Sequence, residues 1–385
     1  MKKNQAGRWE HWCRQVYQTV DLAREARQSR QSAKRQLKRI DGGYRASQAQ
    51  FRQEVRPFWS KYGIKPRKLW YDLYNNQSDV YDPRYIPEEL YWSRIYPALN
   101  RPSFRHAYTD KCFSSRLFPY LKQPRTILSC SNYNYFDENG WPISLSMAKH
   151  LLTAESRFVL KPSIYSGEGA DIFFYDRSES PFMNWDELLA TYKTDFIVQE
   201  VAEQHPSLAA IHEDSLNTIR IISFLFRGEV HISSAILRMG VGGSRLDNIS
   251  AGGIACPIGP DGRLADQAMN RKSEWMTEHP GGTVFSDVQL PNYERILDAV
   301  RTAHQTIPHF RIIGWDFAID TAGDPLFIEY NGAPGMNQVS CGPLFGDLTE
   351  AVLDMIFLGK PEYSELAFGA TENPVERQDT EKAVG

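Results

Sequence analysis

Two carboxylates and an amide near the C-terminal end of the chain have the types and spacing of a metal site. Asp316 lies in one short apolar segment, and Glu329 and Asn331 lie in the next. A hairpin whose two-residue turn is Ala322 and Gly323 places Asp316 opposite Glu329. Because side chains alternate along a strand, Asn331 is expected on the same face.

Opposed acids on a hairpin repel each other, so a cation between them would stabilise the pair. Mg²⁺ prefers oxygen ligands and takes one or two carboxylates together with substrate phosphates. The alternative is an exposed hairpin with harmless surface acids. The same register places Phe317 opposite Ile328 and Ile319 opposite Leu326. It therefore predicts an apolar core face made of Trp315, Phe317, Ile319, Leu326 and Ile328.

The composition is that of a globular protein large enough for two or three domains. The chain has 385 residues, 42% apolar and 24% charged, with a net charge of −3. This charge argues against a general polyanion binder. The absence of a long apolar run and of a leader pattern predicts no membrane span and a cytoplasmic location. Five scattered cysteines indicate reduced thiols, with a nucleophile less favoured: Cys13, Cys112, Cys130, Cys256 and Cys341.

The first 57 residues are basic, with 14 Lys and Arg against 5 Asp and Glu. Their Arg and Gln content favours two helices separated at Gly42 and Gly43. One reading is a contact with an acidic partner such as a nucleic acid or a carrier. We favour the other, a solvated helical extension, because few aromatic residues are present for stacking on bases.

The residues upstream of the hairpin form elements that would position further charged groups. Residues 157–172 predict a strand, a glycine-bearing loop and a second strand, with Lys161 at the end of the first. A lysine beside flexible backbone N–H groups suits a phosphate, although a plain hairpin explains the pattern as well. Arg220 lies inside the apolar strand 217–227 and needs either a core acid or a ligand as partner. We also expect strands at 126–136, 196–201 and 230–238, a glycine-rich segment at 240–253, and helices at 144–154, 291–306 and 342–358.

The order of these features resembles the ATP-grasp superfamily, most closely its sugar-transfer-associated, glutamate-ligase-related branch. The resemblance covers about residues 60–360 and implies an α+β fold of two subdomains that grip a nucleotide, with a helical N-terminal extension. It rests on Lys111, on Lys161 with its loop, on Gln199-Glu200-Val201, on Asn217-Thr218-Ile219-Arg220, on Asn248 to Gly252-Gly253, and on Asp316 to Glu329-Tyr330-Asn331.

The resemblance implies that the cofactors are ATP and Mg²⁺, and it assigns residues to them. Lys111 and Lys161 would contact the α- and β-phosphates. Either Glu203 or His205 would bind the ribose, and the choice stays open. The loop that closes over the phosphates would include Ser166, Gly167 and Gly169. The adenine would meet the hinge formed by Gln199, Glu200 and Val201, with the Val201 backbone as one contact.

The same resemblance assigns the chemistry. Asp316, Glu329 and Asn331 would hold one or two Mg²⁺ ions. Arg220, Arg238 and Asn248 would face the γ-phosphate and a substrate carboxylate. The domains are expected at 1–57 (basic helices), 58–143 (substrate region), 144–201 (lid subdomain), 202–368 (large subdomain with the metal site) and 369–385 (disordered tail).

The activity that the resemblance implies is that of an ADP-forming carboxylate–amine ligase. The γ-phosphoryl group of ATP would activate a carboxylate as an acyl phosphate, which an amine acceptor then attacks. A kinase that phosphorylates a hydroxyl or a small acid is the alternative. Two less favoured alternatives are a non-catalytic nucleotide-binding protein and a nucleic-acid-binding protein acting through residues 1–57.

Overall fold

Two antiparallel sheets and a layer of short helices make up the fold. The computed structural model describes residues 24, 26–39, 47–75, 81–164, 169 and 171–362. The strands of the smaller sheet are β1 (Thr126–Ser131), β2 (Asn134–Asp137), β3 (Pro142–Ile143), β4 (Arg157–Pro162), β5 (Phe173–Asp176) and β6 (Phe196–Gln199). Their order in the sheet is β3-β2-β1-β6-β4-β5.

The strands of the larger sheet are β7 (Thr218–Phe226), β8 (Glu229–Met239), β9 (Ile254–Pro257), β10 (Ala268–Asn270), β11 (Trp275–Met276), β12 (Ile312–Ile319) and β13 (Pro325–Asn331). Their order in the sheet is β11-β10-β9-β8-β7-β12-β13. This arrangement of sheets and helices confirms the predicted α+β class.

Most helices in the described residues are short. Residues 26–39 are helical. The other α-helices are Gln48–Gln50, Arg56–Ser60, Lys68–Tyr74, Glu88–Leu90, Tyr96–Leu99, Arg105–Tyr108, Ser114–Leu117, Leu145–Ala154, Trp185–Tyr192, Pro206–Ala209, Tyr293–Gln305, Gln338–Cys341 and Thr349–Leu358. Phe51–Val55 and Tyr91–Ile95 are π-helical, and Pro102–Phe104, Lys111–Phe113, Ile249–Ala251, Phe285–Asp287 and Gly346–Leu348 are 3₁₀ turns.

The larger sheet is covered differently on its two faces. Trp315 and Phe317 face a core that includes the amphipathic helix Tyr293–Gln305. On the opposite face, Ile222 and Ile312 pack against the N-terminal helices. Side chains alternate along each strand, so Arg220 and Asp316 share that opposite face, beyond the part that those helices cover. One end of this face is therefore not covered by those helices and can hold a functional site.

The predicted register of the hairpin is correct at Asp316 and Glu329 and wrong closer to the turn. Asp316 pairs with Glu329, and Asn331 lies on the same face as Glu329. A bulge then shifts the register, so that Phe317 faces Phe327 and Ile319 faces Pro325. An extra residue on one strand reverses the alternation beyond it. Phe327 therefore joins the core in place of Ile328, and Leu326 is buried on the opposite face.

Two other predicted elements have different bounds in the structure. The strand expected at 126–136 is β1 and β2, joined by a tight turn in which Asn132 and Tyr133 have φ of 47° and 66°. The helix expected at 342–358 begins only at Thr349, because Gly342, at φ 85°, ends the preceding helix. By contrast, the helix predicted at 144–154 is present, and Ser144 accepts a hydrogen bond from the Met147 N–H at 3.2 Å as its cap.

The predicted domain boundaries cross packed structure. The boundary at 143/144 divides the smaller sheet, since β1 pairs with β6. Phe51 and Val55 pack in one cluster with Trp59, so the boundary at 57/58 lies within a helical layer. The predicted tail at 369–385 lies outside the described residues, as do the glycines at 42 and 43.

The described part of the basic extension is an amphipathic helix. Ala26, Ser29 and Ala33 are buried, whereas its exposed cations lie on the other side. Arg30 is the cation that pairs inward, to Glu89 at 2.6 Å. A solvated face and a surface for an acidic partner both fit this pattern, so both interpretations stay predictions. Within the described residues, no helix has the length and apolar character needed to cross a bilayer.

Candidate functional site

A cavity of about 700 Å³ lies between the two sheets and collects most of the predicted site residues. The smaller sheet supplies Lys161 on β4, and the larger sheet supplies Arg220, Arg238, Asp316 and Glu329. Cations from both sheets therefore face the acids of the hairpin. The cavity is of the size that small-molecule and cofactor sites have in proteins.

Asp316 and Arg220 form a buried ion pair at the floor of the cavity. Arg220 donates to both carboxylate oxygens, from Nε to Oδ1 and from Nη2 to Oδ2, the latter at 2.7 Å. Asp316 is only 2% exposed. Burial alone would raise the pKa of Asp316, but the charges of Arg220 and Arg238 outweigh it and hold the pKa below its usual value. The carboxylate is therefore kept ionised. Of the two alternatives for the partner of Arg220, a core acid or a ligand, the structure shows a core acid, Asp316.

Arg238 joins this pair to the glycine-rich segment. Its Nη2 lies 3.1 Å from Asp316 Oδ2, and its Nη1 donates to Asn248 Oδ1 at 3.1 Å. Thr218 Oγ1 accepts from Arg238 Nε at 3.0 Å and from Nη2 at 2.6 Å. The three residues assigned to catalysis, Arg220, Arg238 and Asn248, thus lie together in one network.

Glu329 is the more accessible of the two hairpin acids. Its Oε2 lies 3.3 Å from Lys111 Nζ, and its side chain is 38% exposed. Asn331 accepts a hydrogen bond from the Ala333 N–H at 2.8 Å, which holds its amide oxygen toward the segment that follows β13. Cationic side chains therefore contact both acids of the hairpin: Lys111 contacts Glu329, and Arg220 and Arg238 contact Asp316.

Lys161 is the cation of the cavity whose charge is least compensated. No hydrogen bond or ion pair joins its Nζ to any residue in the described part of the chain. Burial is the main cause that lowers the pKa of Lys161 to about 8; the Lys111 charge adds to this, and Glu329 opposes it. A half-buried amine that forms no ion pair with the described residues is suited to a ligand that brings negative charge.

The lowered pKa of Lys161 predicts a pH-dependent affinity for phosphates. The amine carries its charge below about pH 8 and loses it above, so the affinity for an ATP analogue should fall about tenfold per pH unit between roughly pH 8 and 10. Fluorescence titration with a labelled analogue measures this. Lys161→Met should bind more weakly and lack this dependence. An equal slope in both proteins would contradict the role of Lys161.

The predicted hinge lies at the edge of the cavity, after β6. Gln199 Nε2 donates to the Pro124 carbonyl at 3.2 Å, and Glu200 Oε1 accepts from the Arg125 N–H at 2.9 Å. Both side chains therefore fasten the segment before β1. Val201 follows and lines the cavity, and no described residue hydrogen-bonds to its backbone N–H or C=O. Those backbone groups are available to the edge of a heterocycle.

Not all of the remaining predicted site residues line the cavity. Glu203 lines the cavity and pairs with Arg157 at 3.1 Å, whereas His205 does not line it, and its ring caps the helix Pro206–Ala209. Gly169, at φ 76°, approaches the glycine-rich segment so closely that an added Cβ would lie 2.8 Å from Asn248 Nδ2. Ser166 and Gly167 lie outside the described residues.

The donor set fits a divalent cation that arrives with phosphates. Within the described residues, no three His, Cys, Asp or Glu side chains cluster as a complete protein site for a metal. Asp316, Glu329 and Asn331 offer only oxygen donors, and Mg²⁺ usually keeps waters and shares its coordination with substrate phosphates. The surrounding lysines and arginines would balance the charge of such phosphates.

Sequence reasoning missed two features of the cavity. Asp247, which precedes the predicted Asn248, is buried and touches both Thr218 and Arg238. Ile328 lines the cavity because the bulge turns it away from the core. Asp247 and Asn248 form a polar pair inside a glycine-rich segment, and this pattern could have indicated a role for Asp247. Nothing in the alternation of the strand indicates the bulge.

The model of the sugar-transfer associated ATP-grasp family matches residues 93–345, about two thirds of the chain, so this chain belongs to that family. The predicted family is therefore confirmed. No curated protein matches the chain.

The solved structures that the chain matches include ATP-grasp ligases. D-alanyl-alanine synthetase A from Vibrio cholerae O1 biovar eltor is 11% identical, with a TM-score of 0.38, over 66% of this chain and 65% of that one. D-alanine–D-alanine ligase from Bacillus anthracis, complexed with ATP, is 15% identical, with a TM-score of 0.36, over 70% and 66%. The ATP-grasp ligase PsnB, complexed with a minimal precursor, is 14% identical, with a TM-score of 0.37, over 66% and 62%. The chain thus spans slightly less than two thirds of their lengths.

Proposed function

We propose that this protein is an ATP-dependent, ADP-forming ligase that joins a carboxylate to an amine through an acyl phosphate. Its membership of an ATP-grasp family supports the use of ATP. The observation that carries the proposal is the cavity in which Lys161, which forms no ion pair with the described residues, faces Glu329 and Asp316 across the two sheets. A polyanion with a divalent cation would complement both sets of charges.

Each part of the cavity then has a role toward the nucleotide. Lys111 and Lys161 bind phosphate oxygens, and the backbone of Val201 meets the adenine. Asp316, Glu329 and Asn331 would hold Mg²⁺, which, when bound, neutralises charge on the phosphates. Arg220 keeps Asp316 ionised and in place. Glu203 lies nearer the cavity than His205 and is the better candidate for the ribose.

The chemistry requires positioning and charge compensation more than a protein nucleophile. A carboxylate oxygen of the substrate attacks the γ-phosphorus, the bond to the β–γ bridging oxygen breaks, and ADP leaves. The amine then attacks the acyl carbon and loses a proton as phosphate departs. None of the described thiols lines the cavity, and burial raises the pKa of Cys112 and of Cys256 to about 12.

Transfer of isotope from the carboxylate to phosphate tests this proposal. Candidate small-molecule, peptide or sugar-linked acids labelled with ¹⁸O are incubated with ATP, Mg²⁺ and amines, and products are detected by mass. Ligation predicts one ¹⁸O in the released phosphate and an amide or peptide product. A stable phosphorylated product that needs no amine would instead show the kinase activity that is the alternative.

A further inference from the structure

Asp247 is a buried acid beside the Arg220–Asp316 pair to which neither the motifs nor the family assign a role. It is 8% exposed. Its Oδ2 accepts from the Thr218 N–H at 3.2 Å and from the Thr218 hydroxyl, and it lies 3.5 Å from Arg238 Nε. Burying a carboxylate is costly unless specific partners compensate it. The partners of Asp247 are thus Thr218 and Arg238.

Arg238 consequently lies between two carboxylates. Its Nη2 is 3.1 Å from Asp316 Oδ2, and its Nε is 3.5 Å from Asp247 Oδ2. Thr218 Oγ1 accepts from both of these nitrogens, and Asn248 accepts from the third. Every nitrogen of this guanidinium has a partner in the protein, so its position is fixed from both sides.

The four charges of this cluster sum to zero, since Arg220 and Arg238 balance Asp247 and Asp316. Without the charge of Asp247, Arg238 would keep only one of its anionic partners. Its attraction would then act on Asp316 alone, at the Oδ2 atom it already contacts. Oδ2 also accepts from Arg220 Nη2 at 2.7 Å, so a closer contact with Arg238 would leave less room for a cation at this carboxylate.

We infer that Asp247, together with Thr218, is a positioning residue that holds Arg238 back from Asp316 and so keeps Asp316 able to bind a divalent cation. The inference rests on the proposed function. Asp247 acts through Arg238 and needs no contact with the substrate. Residues that hold metal ligands in place without contacting the metal typically lower the metal affinity by about 10–100-fold when they are replaced.

The test is the Mg²⁺ dependence of nucleotide binding, which needs no turnover. A fluorescent, non-hydrolysable ATP analogue is titrated with Mg²⁺ in the full-length protein. Asp247→Asn and Thr218→Val should each raise the Mg²⁺ concentration for half-maximal binding about tenfold or more. At saturating Mg²⁺, the affinity for the analogue should change by only about twofold. The double variant should be no worse than Asp247→Asn, because both changes act through Arg238.

Two further variants separate this role from a structural one. Thr218→Ser keeps the hydroxyl and should keep the wild-type Mg²⁺ dependence. Asp320 is another buried aspartate held by a lysine, Lys122, and by backbone N–H groups, but it does not line the cavity. Asp320→Asn should lower thermal stability without altering the Mg²⁺ dependence. If Asp247→Asn does not fold, Thr218→Val carries the same test.

The possible failures are distinguishable. If the wild-type protein binds the analogue in a Mg²⁺-dependent manner and Thr218→Val or Asp247→Asn shows the same dependence, this inference is overturned and the proposed function stands. If the wild-type protein binds no analogue with Mg²⁺, the proposed function is overturned, and this inference with it.

Discussion

Replacing Glu329 by glutamine is expected to abolish ATP turnover while the fold is retained. Glu329 is the accessible carboxylate of the hairpin, 3.3 Å from Lys111 and opposite Asp316. The amide of the introduced glutamine keeps the shape of the side chain but removes the charge that would ligate Mg²⁺. Loss of one such charged contact typically lowers the rate by about 10²–10³. ADP release, measured with the acid and amine found by the isotope screen, gives the effect.

The control for this variant is the same change at an exposed glutamate. Glu350 pairs with Lys61 at the surface, with 55% of its side chain exposed, and does not line the cavity. Glu350→Gln should retain wild-type turnover and a wild-type melting curve. Full turnover in Glu329→Gln would contradict the assignment of this hairpin to the metal.

Replacing Arg220 by methionine is expected to cost the most stability of any single change in the site. The variant leaves Asp316, which is 2% exposed, without its bidentate partner and dependent on Arg238 alone. Breaking a buried pair by removing one partner typically costs about 3–5 kcal/mol, because the remaining charge is left uncompensated. Urea unfolding of both proteins measures the difference.

An exposed arginine pair supplies the comparison. Arg295 pairs with Asp324 near the hairpin turn, and 61% of its side chain is exposed. Arg295→Met should cost less than about 1 kcal/mol, as exposed pairs do. If Arg220→Met destabilised the protein no more than Arg295→Met does, Asp316 would not depend on Arg220 in solution.

The sequence was sufficient to predict the functional face of the hairpin. A turn signal and a period of two placed Asp316, Glu329 and Asn331 together, and those are properties of local sequence. The order of the upstream motifs added Lys111 and Lys161, which the fold brings to the same cavity. Local pattern and motif order therefore locate most of the candidate site.

What the sequence did not predict depends on long-range pairing. The bulge after Asp316 places Phe327 in the core and turns Ile328 into the cavity, and its position is set by packing rather than by alternation. The network of Asp247 with Arg238 depends on the glycine-rich segment folding back beside β7. The pairing of β1 with β6 joins segments about 70 residues apart, so a boundary drawn between them divided one sheet.

Crystals of the full-length protein grown with Mg²⁺ and a non-hydrolysable ATP analogue test the central claim most directly. We expect electron density for the nucleotide between the two sheets, with Lys161 at a phosphate and metal density within about 2.0–2.1 Å of an oxygen of Asp316 or Glu329. Density for the analogue at another place, or an empty cavity at saturating ligand, would contradict the account.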